Sequence, residues 1–298
     1  MMTVSTAGST LDRARSLVEG EFVMTSANFR AIVAMLQADS GIAIPESKAT
    51  LVYSRLAKRL RILLLTRFDE YCQLVASPAG AGERREMLTA LTTNVTRFFR
   101  EPHHFEHMKK VLAPLLDAAR HGARVRLWSA ACSTGEEPYS MALTILSLLP
   151  NAAQFDVRIL ATDIDPAVLS RGMAGQYNDA ALAAVSPTLR QRWFTRDGGG
   201  GDQCCVADEM RQLVNFRELN LVSGDWPMKG RFHSLMCRNV VIYFNDETQA
   251  AIWKRFTPML EPGGHLYIGH SERLTEAEDK HFESVGVTTY RRRDGAIR

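Results

Sequence analysis

No apolar run in the 298 residues approaches the roughly 18–20 needed for a membrane-crossing helix. The opening stretch MMTVSTAGSTLDRARSLVEG lacks a basic start followed by an apolar segment, so no export signal is read there. A cytoplasmic protein without direct membrane insertion is expected. Cysteine is sparse: Cys72, Cys132, Cys204, Cys205 and Cys237 are odd in number and scattered, and no C-x-x-C occurs. That excludes a zinc knuckle or a thioredoxin-like redox pair, and reduced, mostly buried thiols are expected. Net charge is only +3, too little to argue for a nucleic-acid partner. Also missing are G-x-G-x-x-G, the dinucleotide fingerprint, and a Walker A lysine for triphosphate.

What is present is an ordinary globular composition, 46% hydrophobic and 23% charged, arranged in segments of different period. Residues 1–22 are small and polar and read as a loose tail. Residues 23–108 carry helical spacing. Phe29, Ile32, Val33 and Leu36 mark one stripe, and Leu51, Leu56, Leu60, Leu63 and Leu64 a second. Gly41, Pro45, Pro78, Gly80 and Gly82 interrupt the helices. Residues 109–298 alternate strand and helix. VRLWSAA is followed by a helix, VRILATDID by a helix starting at Pro166, and FHSLMCRNVVIYF by a helix from Thr248 to Leu260; EPGGHLYIGHS supplies a turn and a further strand. Such alternation implies an α/β, mainly parallel, doubly wound sheet whose ligand crevice lies beyond the carboxyl ends of its strands. Around residues 190–218 the pattern breaks. Four glycines lead into Cys204 and Cys205, which reads either as a flexible linker or as an inserted hairpin used for docking.

Three segments carry chemistry. In SAACSTGEEPYS, a strand runs through Gly135 into a helix, so backbone N–H groups can meet a ligand at the helix N-terminus. Glu136 and Glu137 would repel phosphate but suit a cationic amine, such as that of S-adenosylmethionine. Ser133-x-x-Glu136 and Thr134-x-x-Glu137 both fit a capping box, so one glutamate can close the helix and the other contact the ligand; Glu137 is the expected contact. Asp163 ends the second strand, where an acid can accept from both ribose hydroxyls, whereas Asp165 before Pro166 reads as a helix N-cap. LTTNVTRFFRE is a polar cluster beside Phe98 and Phe99 that, by period alone, reads as a solvated helix face.

LTTNVTRFFRE, AACSTGEEPYS, ATDID, NLV, CRNVVIYF and GHSE occur in this order and resemble the CheR-type chemotaxis receptor methyltransferases, from about Ser26 to Tyr290. The resemblance implies a Rossmann-like catalytic domain with a small all-helical N-terminal domain and an inserted small β-subdomain. It implies S-adenosylmethionine as cofactor and S-adenosylhomocysteine as product, with contacts at Asn94, Thr96, Arg100, Glu137, Asp163, Asn220, Leu221, Arg238 and Asn239. Tyr243 would face the transferred methyl group together with Arg100. The substrate implied is a glutamate side chain on the cytoplasmic helical bundle of a methyl-accepting chemotaxis receptor, converted to a methyl ester. In some relatives the β-subdomain grips the receptor's C-terminal peptide; the glycine-rich insert with its Cys-Cys pair departs from that pattern and leaves peptide capture open.

A glutamate is already ionised at pH 7, so its oxygen can attack the methyl carbon in line without a general base. Lys48, Arg55, Lys58 and Arg59 lie, with Arg61, in an acid-free stretch. Taken at 100° per residue they form a basic ridge that would complement a glutamate-rich receptor helix. HHFEH has His at i and i+4 but lacks the H-E-x-x-H glutamate, and no metal site is expected. GHSER ends in Arg273 where a serine hydrolase elbow needs glycine. Methylation of nucleic acid is disfavoured by CRNVVIYF, which lacks the Asn/Asp-Pro-Pro-aromatic segment of base-amine methyltransferases. A non-catalytic cofactor-binding module is disfavoured by the presence of both Arg100 and Tyr243.

Overall fold

The computed structural model describes residues 16–18, 20–196, 202–224 and 226–293. These described residues divide into two compact units, one within residues 1–39 and 43–91 and the other within 40–42 and 92–298. Most of the expected tail, residues 1–15, and residues 197–201 with the four glycines lie outside the described residues.

In the first unit, strands β1 (Ser16–Val18) and β2 (Met24–Thr25) pair antiparallel, so the end of the expected tail is ordered. Four helices follow: α1 (Ser26–Ser40), α2 (Ala49–Ile62), α3 (Phe68–Ala76) and α4 (Ala81–Leu91). Phe29, Ile32, Leu36, Val52, Leu56, Leu60, Phe68, Tyr71, Val75 and Met87 fill the core. Three leucines of the expected stripe do not, Leu63 being only half-buried. Leu51 is exposed, and Leu64 is 88% exposed because the helix stops before it. Leu64 takes the left-handed conformation (φ 56), while the Leu65 N–H reaches back to the Leu60 carbonyl (3.0 Å) and that of Leu64 to Arg61 (3.2 Å). This is a Schellman stop with leucine where glycine is usual.

The second unit starts earlier than the helical period suggests. α5 (Pro102–Arg120) spans the expected boundary at residue 108, and its Phe105, Met108, Leu112, Leu116 and Ala119 belong to the same core as the sheet. A helical period reports which face is apolar, not what that face packs against.

After α5 come β3 (Val125–Ser129), α6 (Glu136–Leu148), β4 (Val157–Asp163), α7 (Pro166–Ala174), β5 (Gln176–Asn178), α8 (Pro187–Trp193), β6 (Phe194–Arg196), β7 (Gln203–Val206), α9 (Asp208–Leu213), β8 (Val214–Glu218), β9 (Phe232–Cys237), α10 (Asp246–Met259), β10 (Leu260–Ile268), α11 (Glu276–Asp279), β11 (Phe282–Gly286) and β12 (Thr289–Arg292). The large sheet has the order β11-β12-β10-β9-β3-β4-β8, with β8, β4, β3, β9 and β10 parallel and the β11–β12 hairpin antiparallel at one edge. EPGG is an irregularity inside β10 rather than a turn before it, since the pairing with β9 shifts between Leu260 and His265.

The insert differs in its bounds from the expected 190–218. β5, β7 and β6 form a separate three-stranded antiparallel sheet, whereas β8 pairs in parallel with β4, Ile159 opposite Val214. The insert therefore begins at Gln176 and ends before β8. The segments flanking the glycines pair antiparallel, Thr195 opposite Cys205. All five cysteines are free.

Candidate active site

The chain leaves β3 outward through β4 to β8, then returns to place β9 on the other side of β3. This reversal opens a crevice beyond the carboxyl ends of β3 and β9. The loop after β3 continues the sheet's bonding: the Ala130 N–H donates to the Met236 carbonyl (2.8 Å) and that of Cys132 to Thr162 (2.9 Å). Gly135 then turns the chain at φ +97, where an added Cβ would lie 2.7 Å from Tyr177 Oη and 3.0 Å from Gly172 Cα. Only glycine fits both the conformation and the space.

Neither expected capping box forms. Gly135 is the N-cap and α6 starts at Glu136, so Glu136 and Glu137 occupy its first two positions and neither reaches the third. The Ser133 hydroxyl donates instead to the Asn94 carbonyl (3.0 Å), and that of Thr134 to Glu136 Oε2 (2.7 Å). Both carboxylates sit where the helix dipole favours negative charge.

Glu137 is 8% exposed and bonded through both oxygens: Oε1 accepts from the Ser129 hydroxyl (2.7 Å) and Oε2 from Arg238 Nη1 (3.0 Å). Arg238, also buried, lies 3.4 Å from Glu101 Oε2 and donates from Nη2 to the Arg100 carbonyl. Burial pushes the Glu137 carboxyl above the usual range against the pull of Arg238 and Ser129. Burial acts the same way on Glu101, but there Arg238 and a hydrogen bond from His270 prevail and hold the carboxyl below that range. One arginine just past β9 thus binds the first turn of α6 and the residue that caps α5.

Asp163 ends β4. Its Oδ2 accepts from the Ser133 N–H (2.8 Å) and Oδ1 from that of Asp165 (3.1 Å). Burial raises its pKa to about 6, opposed by those two backbone bonds. Asp165 is the N-cap of α7, as its place before Pro166 suggests: Oδ1 accepts from the Ala167 N–H (2.9 Å), and Oδ2 from Asn94 Nδ2 (3.0 Å).

LTTNVTRFFRE is not a helix face. After Leu91 it is an irregular strap, with Phe99 (φ 51) and Glu101 (φ 56) left-handed, tied by Asn94 to Asp165 and to Ser133. The Phe99 N–H adds a bond to the Ser140 hydroxyl (2.9 Å). Phe98 anchors the strap, fully buried between Tyr177 (ring centroids 4.9 Å) and Phe194 (5.8 Å) of the inserted sheet. Burying that ring contributes roughly 1.5–3 kcal/mol. Thr96 and Arg100 are half-buried on the strap, where Arg100 Nη1 donates to the Val95 carbonyl (3.1 Å).

The remaining candidates sit on loops after β8 and β9. Asn220 Oδ1 accepts from the Val222 N–H (3.0 Å), and the carbonyl of buried Leu221 accepts from Arg255 Nη1 (3.1 Å). Asn239 (φ 60) and half-buried Tyr243 follow Arg238. The residues missed by sequence reasoning are Glu101, half-buried, and Glu272, buried, at the ends of the FFRE and GHSE segments. Their pairing with an arginine and with backbone N–H groups has no local sequence signature.

The basic ridge belongs to the first unit and is largely consumed there. Arg59 grips Glu83 through Nε and Nη2 (2.9 and 2.6 Å) and also reaches Glu86 (3.1 Å). Arg55 donates to the carbonyls of Ala90 and Leu91 (3.3 and 2.9 Å). Both therefore bind α2 to α4. Lys48 precedes α2 in a short 3₁₀ turn, and Lys58 is exposed on α2.

Among the described residues, Glu101, His103 and His104 bring candidate metal ligands within 4.8 Å of one another. Two features oppose a cation there. Arg238 already pairs with Glu101, and the three residues occupy the positive N-terminal end of α5.

The donor set at the strand ends is acid-rich: Glu136, Glu137, Asp163 and Asp165 are each under a tenth exposed, with Arg238 the buried cation bonded among them. It opposes phosphate and fits a ligand bearing an ammonium, a sulfonium and a ribose diol. A doubly wound sheet with such a crevice defines an S-adenosylmethionine-dependent methyltransferase. Residues 94–291 match the family model described as the S-adenosylmethionine-binding domain of CheR methyltransferase, and residues 27–92 its all-alpha domain. A probable chemotaxis protein methyltransferase of Rhizobium etli is 56% identical over 260 residues, 86% of this chain and 96% of that protein. Chemotaxis protein methyltransferase 2 of Pseudomonas aeruginosa is 42% identical over 91% of this chain and 94% of its own, and the Escherichia coli enzyme 40% identical over 90% and 91%. The chain belongs to the CheR methyltransferase family, whose reaction is S-adenosylmethionine-dependent methylation of glutamate side chains on chemotaxis receptors.

Proposed function

We propose that this chain, in the cytoplasm, esterifies glutamates on the helical bundle of chemotaxis receptors, with Arg100 and Tyr243 positioning the substrate carboxylate. The observation that carries this reading is the strap. It bonds to the loop after β3 and to the N-cap of α7, and it carries Arg100 beside the switch-point arginine, Arg238. No helix among the described residues is long and apolar enough to cross a membrane.

Asn94, Thr96, Arg100, Glu137, Asp163, Asn220, Leu221, Arg238 and Asn239 would hold S-adenosylmethionine, which supplies a methyl group on a sulfonium. Asp163, besides its bonds from the Ser133 and Asp165 N–H groups, would accept from the two ribose hydroxyls. Glu137 offers the lone pairs left by Ser129 and Arg238 to an ammonium. Arg100 spends one N–H on Val95, and its remaining donors can hold a carboxylate bidentately. A substrate glutamate, which ordinarily titrates at about pH 4.3, arrives ionised, so the site needs alignment and water exclusion rather than a base. Lys48 and Lys58 offer outward charge to acidic receptor helices. The inserted sheet has β5 and β6 as its edges, and strand addition of a receptor C-terminal peptide there is the finer partner reading.

Incubating the chain with radiolabelled S-adenosylmethionine and receptor-containing membranes should give base-labile label on the receptor. Label in nucleic acid, or none, would overturn the reading. Removing the receptor's terminal peptide and measuring the same rate tests the edge-strand proposal.

A further inference from the structure

GHSE is the one motif to which neither composition nor the cofactor set gives a task. Its glutamate, Glu272, is 2% exposed, and its carboxylate accepts four backbone N–H bonds. Oε1 takes those of Val240 (2.9 Å) and Val241 (3.0 Å), and Oε2 those of Asn239 (3.0 Å) and Gly269 (2.5 Å). Three of the four donors belong to the loop between Arg238 and Tyr243. That loop has few bonds of its own: Tyr243 N–H to the Val240 carbonyl (3.2 Å) and Phe244 N–H to Val241 (3.0 Å). It also holds Asn239 at φ 60, a conformation that costs a non-glycine residue free energy unless its surroundings enforce it. The glycine of the motif serves the same interlock. A Cβ on Gly269 would lie 2.5 Å from Asn239 Nδ2, 2.8 Å from the Asn239 N and 2.8 Å from Glu272 Oε2.

We infer that Glu272 is a positioning residue for methyl transfer, a buried carboxylate that sets the backbone carrying Asn239 and Tyr243. Gly269 allows the two loops to approach closely enough for those bonds. The inference rests on the roles proposed above for Asn239 and Tyr243. Glu272 does not touch the reacting groups; it acts through the angle at which the loop presents them.

The test is a double-mutant cycle on the full-length enzyme with receptor membranes. Glu272→Gln replaces one acceptor oxygen by an amide that faces N–H donors. At saturating S-adenosylmethionine its kcat should fall about tenfold, as small misplacements of a positioning group do. In a Tyr243→Phe background the same change should cost less than about twofold, because coupled residues are not additive. S-adenosylhomocysteine binding, read by calorimetry, should weaken through Asn239. Equal losses in both backgrounds would make Glu272 a merely structural residue and overturn the inference. Wild-type kcat in Tyr243→Phe alone would overturn the role of Tyr243, and unchanged S-adenosylhomocysteine affinity in Glu272→Gln would then overturn that of Glu272. Gly269→Ala disturbs the interlock from the opposite side and should show the same coupling if Glu272→Gln does not fold.

Discussion

Arg238 and Glu137 meet 3.0 Å apart at the point where the sheet reverses its strand order, one just after β9 and the other from the first turn of α6. Ser129, the last residue of β3, completes the junction. Three elements that converge on the cofactor crevice are therefore held by one buried ion pair. Such a pair is a poor source of net stability but expensive to break, since either partner left alone is an uncompensated buried charge.

Arg238→Met should accordingly destabilise the chain by about 3–5 kcal/mol in urea unfolding. Glu137→Gln removes a charge but keeps hydrogen-bonding capacity for Ser129, so it should cost less. Combining Glu137→Gln with Arg238→Met should cost less than the sum of the two single changes. Additive losses would mean that the two residues act separately.

If Asp163 holds the ribose as proposed, cofactor binding is pH-dependent. With its carboxyl raised to about 6 by burial, it is mainly ionised at pH 7 and mainly protonated at pH 5. Only the ionised form accepts from both ribose hydroxyls, so S-adenosylhomocysteine affinity should fall about tenfold between pH 7 and pH 5. For folding the sign is opposite. A raised acid makes the charged form costly, so that cost is fully present above about pH 6 and fades as pH falls toward the ordinary carboxylate range. Calorimetric titrations across this window, with Asp163→Asn as the flat and weakened control, check the assignment.

The sequence made the crevice legible where chemistry and geometry coincide locally. Gly135 between strand and helix, Asp163 at a strand end and Asp165 before Pro166 all sit where their residue types suggest. The failures have physical causes. The capping boxes assumed that a serine or threonine starts α6, but Gly135 starts it and puts the glutamates too early. β5 and β6 are three residues each, too short for alternation to register. β8 alternates well enough but follows the glycine run, and so groups by sequence with the insert rather than with the edge of the large sheet. Glu101 and Glu272 find their partners through tertiary contacts, 137 and 33 residues away, that no window of sequence contains.

The basic ridge separates into two kinds of charge. Arg59→Glu faces Glu83 and Glu86 with a third negative charge and should destabilise the first unit by about 1–3 kcal/mol. Lys58→Glu changes an exposed side chain and should leave the melting temperature within about 2 °C. If the ridge meets acidic receptor helices, Lys58→Glu should raise the KM for receptor at low salt, and the effect should shrink as salt screens it. An unchanged KM at low salt would remove Lys58 from recognition.

Arg100→Lys isolates the role of the guanidinium fork. The Arg100 carbonyl accepts from Arg238, and the side chain donates to Val95; the first bond survives any side-chain change. The strap is otherwise held by Asn94, Phe98 and Phe99, so the fold should persist and the melting temperature should stay near that of the parent. Lysine keeps the charge but cannot present two parallel N–H donors to a carboxylate. If Arg100 aligns the substrate glutamate, kcat for receptor methylation should fall about tenfold to a hundredfold. S-adenosylhomocysteine affinity, read by calorimetry on the same variant, should change less than kcat, because alignment of the acceptor is lost and most cofactor contacts are kept. Near-normal turnover in Arg100→Lys would show that charge alone suffices and that alignment is supplied elsewhere, with Tyr243 the next residue to test.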